Sequence, residues 1–231
     1  MDMESSLVVE FKGGSAARKT TGFLVKPKKT GRFPAVIVIH EIWGVVDHIK
    51  DVSRRLASEG YVALAVDLFG KTFPSLEEAR KVREELSEER IMGDLKGAFD
   101  YLQSLEYVEP KRIGSIGFCM GGGLSLLLAC HNSELAGAVV FYGRNPSPID
   151  LVKNINCPIL CNYAGADMAI KEADINLLEE ALKKYGKVFD IKVYPGAPHA
   201  FFNDTRESYR PEAAKDAWKR TLDFFKMSLK A

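Results

Sequence analysis

Short apolar runs rich in β-branched residues alternate with helical patterns along the whole chain, and this alternation restricts the fold more than any other feature. The runs are "AVIVIH" at 35–40, "YVALAVDL" at 61–68, "RIGSIGF" at 112–118, "AGAVVFY" at 136–142, "CPILCNYA" at 157–164 and "FDIKVY" at 189–194. Near-continuous apolar strands of this kind are buried on both faces. Between them lie helical patterns at 46–60, 75–90, 94–105, 120–130, 171–186 and 211–230, several of them closed by glycine. A parallel pair of strands needs a long crossover, usually a helix, so the pattern predicts an α/β fold with a mostly parallel sheet covered on both faces. The opening runs "LVVEFK" and "TGFLVKP", joined by a short Gly/Ser/Lys turn, predict antiparallel strands at one edge. The polar stretch 75–90 is expected to present a solvated face.

With 231 residues the chain is long enough to bury its own core, and one domain spanning 1–231 is expected. A net charge of +1 gives no field to draw in nucleic acid or a membrane surface. No stretch reaches the roughly 20 apolar residues of a membrane span, and the N-terminus lacks a signal-like apolar run, so a cytoplasmic protein is expected. Cys119, Cys130, Cys157 and Cys161 are too few and too irregular for a disulfide framework. On one strand Cys157 and Cys161 would stand roughly 13 Å apart, beyond disulfide reach. Metal-binding spacings such as CxxC and HExxH are missing from the sequence, and the expectation is no metal, no organic cofactor, and a monomer or small homo-oligomer.

The segment "GFCMGG" at 117–122 carries the chemistry. A strand runs straight into Cys119 and a helix follows, with Gly117 and Gly121 placed where a tight strand-to-helix turn needs them. A phosphate-binding loop is the competing reading, but the glycines run GxxGxxxGGG rather than GxGxxG, and Phe-Cys-Met fills the turn. The other three cysteines have no such turn and read as small buried hydrophobes. A nucleophile requires a base, and the base an orienting carboxylate; sheet enzymes with such an elbow order them nucleophile, acid, histidine. Asp167 follows "CPILCNYAGA" and His199 follows the last strand in "YPGAPHAFF", which meets that order. Asp150, Asp174 and Asp190 fall at helix starts or in a strand; His48 and His131 read as surface residues and His40 as structural.

Taken together, "HEIWG" at 40–44, "DLFG" at 67–70, "GFCMGG" at 117–122, "FYG" at 141–143, "GADM" at 165–168 and "HAFF" at 199–202 resemble the dienelactone hydrolase family. That resemblance covers nearly the whole chain and implies the α/β-hydrolase fold. It implies that Glu41 contacts the thiol and helps convert it to thiolate, and that the backbone N–H groups of Met120 and Ile42 form an oxyanion hole. Type members hold the lactone carboxylate with two arginines; the matching positions here are Lys71 and Asn203, which predicts a weaker, less orientation-strict grip. Arg144, just after "FYG", and Arg206, near Asn203, are candidates to compensate, with ordinary surface charge as the competing reading of each, and Tyr142 and Trp43 are expected to complete the substrate-binding set.

A cysteine nucleophile has a chemical consequence. From a tetrahedral adduct a thiolate departs more readily than an alkoxide, so an ordinary ester tends to revert to substrate. An activated ester or enol lactone, whose leaving group is a stabilised enolate, makes forward collapse to a thioester competitive. The expected function is therefore cysteine-dependent hydrolysis of a small carboxylic ester or lactone, of the carboxymethylenebutenolidase type, with water then cleaving the thioester under His199 and Asp167. The rival readings are a broader esterase, thioesterase or peptidase-like hydrolase on the same fold, and a catalytically silent binding protein.

Overall fold

The computed structural model describes residues 6–14 and 18–229; residues 15–17, in the turn expected between the first two strands, lie outside the described residues. Two compact units divide the chain, Met1–Ile113 and Gly114–Ala231.

The first unit contains β1 (Ser6–Lys12), β2 (Lys19–Val25), β3 (Phe33–Ile39), α1 (Asp47–Ser58), β4 (Val62–Asp67), α2 (Leu76–Glu84) and α3 (Glu88–Ser104). β1 pairs antiparallel with β2, β2 antiparallel with β4, and β4 parallel with β3. The antiparallel opening pair and the parallel core expected from sequence are both present. From Pro34 to Ile39 every residue of β3 is buried, as are the first five residues of β4. Both are sandwiched between helices: α1 packs on β2, β3 and β4, and α3 on β1, β3 and β4. The apolar side of α1 buries Ile49, Val52, Leu56 and Ala57, and His48 with them. His48 is only 2% exposed, which corrects its reading as a surface residue: it occupies the inward face of the helix, one position before Ile49.

Residues 75–90 are not one helix. α2 stops at Glu84, and α3 starts afresh after Ser87, whose hydroxyl accepts the Arg90 N–H at 3.1 Å. A side-chain oxygen at this position satisfies one of the N–H groups that a helix start leaves without a partner, and Glu88 and Glu89 complement its positive end. The polar, solvated face expected of this stretch is present, since Ala79 is the one buried residue of α2.

β5 (Val108–Phe118) runs from the first unit into the second. It begins four residues ahead of the run at 112–118 because Glu109, Pro110, Lys111 and Arg112 are not buried; full burial starts at Ile113. The second unit continues with α4 (Met120–His131), β6 (Gly137–Phe141), a 3-10 turn (Ile149–Asn154), β7 (Ile159–Ala164), α5 (Glu172–Lys184), β8 (Phe189–Tyr194) and α6 (Pro211–Leu229). β5, β6, β7 and β8 are parallel neighbours in that order. α4 packs on β6, and α6 on β6 and β7. α4 is apolar nearly all round and buries Leu124, Leu126, Leu127 and Leu128, each worth about 1.5–3 kcal/mol of transfer free energy. Such a helix belongs in an interior, so the segment after the elbow is firmly anchored.

Candidate active site

In the second unit the peptide chain turns sharply between β5 and α4, and Cys119 stands at the turn with φ 55° and ψ −115°. A side-chain-bearing residue at positive φ costs on the order of 1–3 kcal/mol and persists only where its surroundings enforce it. The enforcement here comes from glycines. A Cβ on Gly117 would collide with the Gly121 carbonyl, one on Gly122 would lie 2.5 Å from the Phe141 carbonyl oxygen, and one on Gly143 would run into the Gly122 backbone. The sequence reading had placed the requirement at Gly117 and Gly121; the contact between Gly122 and Gly143 joins segments distant in sequence and left no local signal. The Cys119 N–H donates to the Phe141 carbonyl at 3.0 Å, tying the turn to β6. The Cys119 carbonyl accepts from Gly122 and Gly123, which start α4. Met120 is the first residue of α4, where N–H groups have no helical acceptor.

His199 and Asp167 come from the loops after β8 and β7. Those loops are laced together: Gly165 N–H donates to the Tyr194 carbonyl at 2.8 Å and Ala166 N–H to the Ala197 carbonyl at 2.9 Å. The lacing sets His199 Nδ1 2.7 Å from Asp167 Oδ2. Asp167 Oδ1 accepts the N–H groups of Ala169 at 2.7 Å and Ile170 at 3.1 Å, so each oxygen of the carboxylate has its own task. Burial works to raise the Asp167 pKa, but the His199 hydrogen bond and these two N–H donors outweigh it and hold the group below the usual carboxylate range. For His199, burial works to lower the pKa, yet the hydrogen bond to Asp167, the neighbouring Cys119 and the Asp167 charge lift it to about 10. The geometry thus brings together a strained thiol, an imidazole and a buried carboxylate, the set the sequence order had suggested.

The remaining cysteines differ in kind. All four are free thiols, but burial pushes Cys130, Cys157 and Cys161 each up to about 12, which leaves them inert. Among the described residues no group of three or more His, Cys, Asp or Glu side chains could hold a metal ion.

Tyr142 and Asn203 are both buried. The Tyr142 ring centroid lies 5.0 Å from that of His199, and its backbone is at φ 40°. With no exposed surface it packs against the imidazole and against the Phe201 ring, whose centroid is 5.5 Å away. The Asn203 Oδ1 accepts from Thr205 N–H at 3.1 Å and Thr205 Oγ1 at 2.7 Å. Arg144 and Arg206 are exposed.

In the first unit, Glu41, Ile42 and Trp43 follow β3, and Lys71 follows β4. Glu41 is 2% exposed, whereas Ile42 and Trp43 are half-buried. His40 braces the base of this loop: its Nδ1 donates to the Glu41 carbonyl and its Nε2 accepts the Leu68 N–H at 3.3 Å. Burial depresses its pKa and keeps it neutral in that tautomer, the structural role expected of it. Phe73 N–H donates to the Trp43 carbonyl at 3.2 Å, and Gly44, at φ 83°, has no room for a Cβ beside the Lys71 carbonyl. The two loops are thereby locked to each other. Lys71 is exposed, with its ammonium 5.1 Å from the Phe73 ring centroid.

The model of the dienelactone hydrolase family matches residues 20–229. The chain belongs to this family. A provisionally named carboxymethylenebutenolidase from Saccharolobus solfataricus is 40% identical across 92% of this chain and 95% of its own. One of the same description from Escherichia coli K12 is 35% identical across 87% and 80%. A crystal structure of a provisionally named dienelactone hydrolase from Klebsiella pneumoniae superposes with a TM-score of 0.88 at 32% identity, covering 96% of this chain and 98% of that one. The dienelactone hydrolase assignment carries the α/β-hydrolase fold with it: a mostly parallel sheet flanked by helices. An acylaminoacyl peptidase from Pyrococcus horikoshii, 17% identical, shares that fold at a TM-score of 0.79, with this chain matching 43% of its length. Among the described residues of this dienelactone hydrolase family member, no helix is long and apolar enough to cross a membrane.

Proposed function

We propose that the protein is a cysteine-dependent hydrolase of activated carboxylic esters or enol lactones, of the carboxymethylenebutenolidase type. The observation that carries this reading is Cys119 at φ 55° at the strand-to-helix turn, acting on a His199 that is itself held 2.7 Å from Asp167. Cys119 is the nucleophile: its sulfur adds to the ester carbonyl carbon, and the adduct expels the enolate to leave a thioester. His199, fixed in orientation by Asp167, gives and takes the proton and activates the water that cleaves the thioester. The N–H groups of Met120 and Ile42 stabilise the oxyanion, and Glu41, buried where an unemployed charge would be costly, takes part in forming the thiolate. Tyr142 positions His199. Residues 1–231 act as one catalytic domain in the cytoplasm, a reading supported by a family match that continues through both units and by four reduced thiols.

A second reading, a broader esterase or thioesterase on the same site, draws on the uncharged Asn203, which leaves the exposed Lys71 as the cation at the positions where type members carry arginines. A panel of p-nitrophenyl and enol esters with wild type, Cys119→Ala and iodoacetamide-treated protein tests both. The Cys119→Ala protein is expected to stay folded and lose hydrolysis, and wild-type protein is expected to accumulate an acyl adduct on Cys119 visible by mass spectrometry. Undiminished turnover in Cys119→Ala overturns the nucleophile. Equal kcat/KM for a carboxylate-bearing enol lactone and its methyl ester moves the substrate class to the broader one.

A further inference from the structure

β8 is the last strand in the order of its sheet, and among the described residues no strand lies beyond it. Its inner edge is bonded to β7: the Val188 carbonyl accepts the Ile159 N–H at 3.0 Å and the Tyr194 carbonyl accepts the Gly165 N–H at 2.8 Å. Successive strand residues turn their backbone groups to opposite edges, so Asp190 and Lys192 also face β7, whereas Phe189, Ile191 and Val193 direct N–H and C=O outwards. An outer edge of this kind is a template for another strand unless something blunts it.

Its charge pattern does not blunt it. Asp190 and Lys192 stand on one face, with side chains 62% and 40% exposed. Around a two-fold axis through Ile191, an antiparallel copy of β8 sets Ile191 against Ile191, Phe189 against Val193 and Asp190 against Lys192. The outward-facing residues then pair through both their backbone bonds, and the opposite charges fall in the close, non-hydrogen-bonded positions. Displacing the register by two residues puts Asp190 against Asp190 or Lys192 against Lys192. A displacement by an odd number sets the free groups opposite groups already bonded to β7. One register therefore satisfies backbone and charge together.

We infer that β8 is a self-association edge, and that a second copy of this chain pairs with it antiparallel through Ile191. The existing ion pairs extend across the junction: Arg220 holds Asp190 at 2.9 Å and Lys192 holds Asp216 at 2.7 Å, so Asp190 meets Lys192 of the partner subunit without surrendering Arg220. Val188, 71% exposed, and Val193, 42% exposed, give the junction apolar surface to cover.

The test is sedimentation velocity across a wide range of protein concentration. Wild type is expected to dimerise, and Asp190→Lys and Lys192→Asp, each alone, to sediment as monomers. An equimolar mixture of those two variants is expected to form a dimer again, since every cross-strand pair is then opposite in charge; the double swap is expected to dimerise by itself. Ile191→Pro, which removes an outward N–H and leaves the bonds to β7 alone, is expected to be monomeric. Should the charge variants fold poorly by circular dichroism, Ile191→Cys in a Cys119→Ala background, treated with a short bis-maleimide, decides, because the register sets this residue against itself within reach of the linker. A monomeric wild type, a dimer that survives Ile191→Pro, a mixture that stays monomeric, or failure of Ile191→Cys to cross-link would each overturn the inference.

Discussion

Asp167 divides its carboxylate between two tasks, one oxygen holding His199 and the other holding the N–H groups of its own loop. The charge acts on the imidazole, and Asp167→Asn tests it while keeping the shape. Removing that charge is expected to bring the His199 titration, followed by NMR, well below its value of about 10. It is also expected to lower kcat/KM by on the order of 10⁴, the size seen when the acid of such a set is neutralised. The sign for stability follows from a folded pKa raised above the ordinary value of about 6.5. The stabilisation from His199 is complete below that value and disappears as pH rises through about 10, while that from Asp167 is lost once acid protonates its carboxylate, so the Tm difference between wild type and Asp167→Asn should be largest in weak acid, between the carboxylate and imidazole ranges, and shrink towards alkaline pH. A variant with an unchanged titration would show that Asp167 does not govern the imidazole.

The unit that presents Cys119 is an element, the strand-turn-helix of β5 and α4, and its weak point is Gly117. A methyl group there meets the Gly121 carbonyl, which is helix backbone and cannot swing aside. Gly117→Ala is expected to cost about 1–3 kcal/mol, as overpacking of a dense site does, and to depress esterase activity further than this loss of stability explains. Urea unfolding alongside turnover separates the two effects. At this scale much was readable in the sequence. The β-branched runs located the strands because burial on both faces permits little else, and "GFCMGG" announced the elbow because its glycines are adjacent. What escaped depended on partners distant in sequence or on the facing of one residue. Gly122 is forced by Gly143, and His48 sits on a face that only the fold defines. The break before Ser87 was hidden by the unbroken Lys/Glu pattern on both sides.

For the whole molecule, pairing through β8 links stability to concentration. A dimer that dissociates on unfolding gains stability by mass action, so the wild-type Tm is expected to rise with chain concentration and that of Ile191→Pro to stay constant. Calorimetry at two concentrations reads the difference, and a wild-type Tm that does not move argues against the pairing. The residues proposed for reaction and recognition are drawn from both halves of the sequence. Cys119, Asp167 and His199 all belong to Gly114–Ala231, while Lys71 and Trp43 belong to Met1–Ile113. On the proposed roles a substitution in either half reaches the chemistry, because Glu41 and Ile42 stand in the first and the thiol, imidazole and carboxylate in the second, so a lineage built on this plan has to change its diet and its cutting edge together.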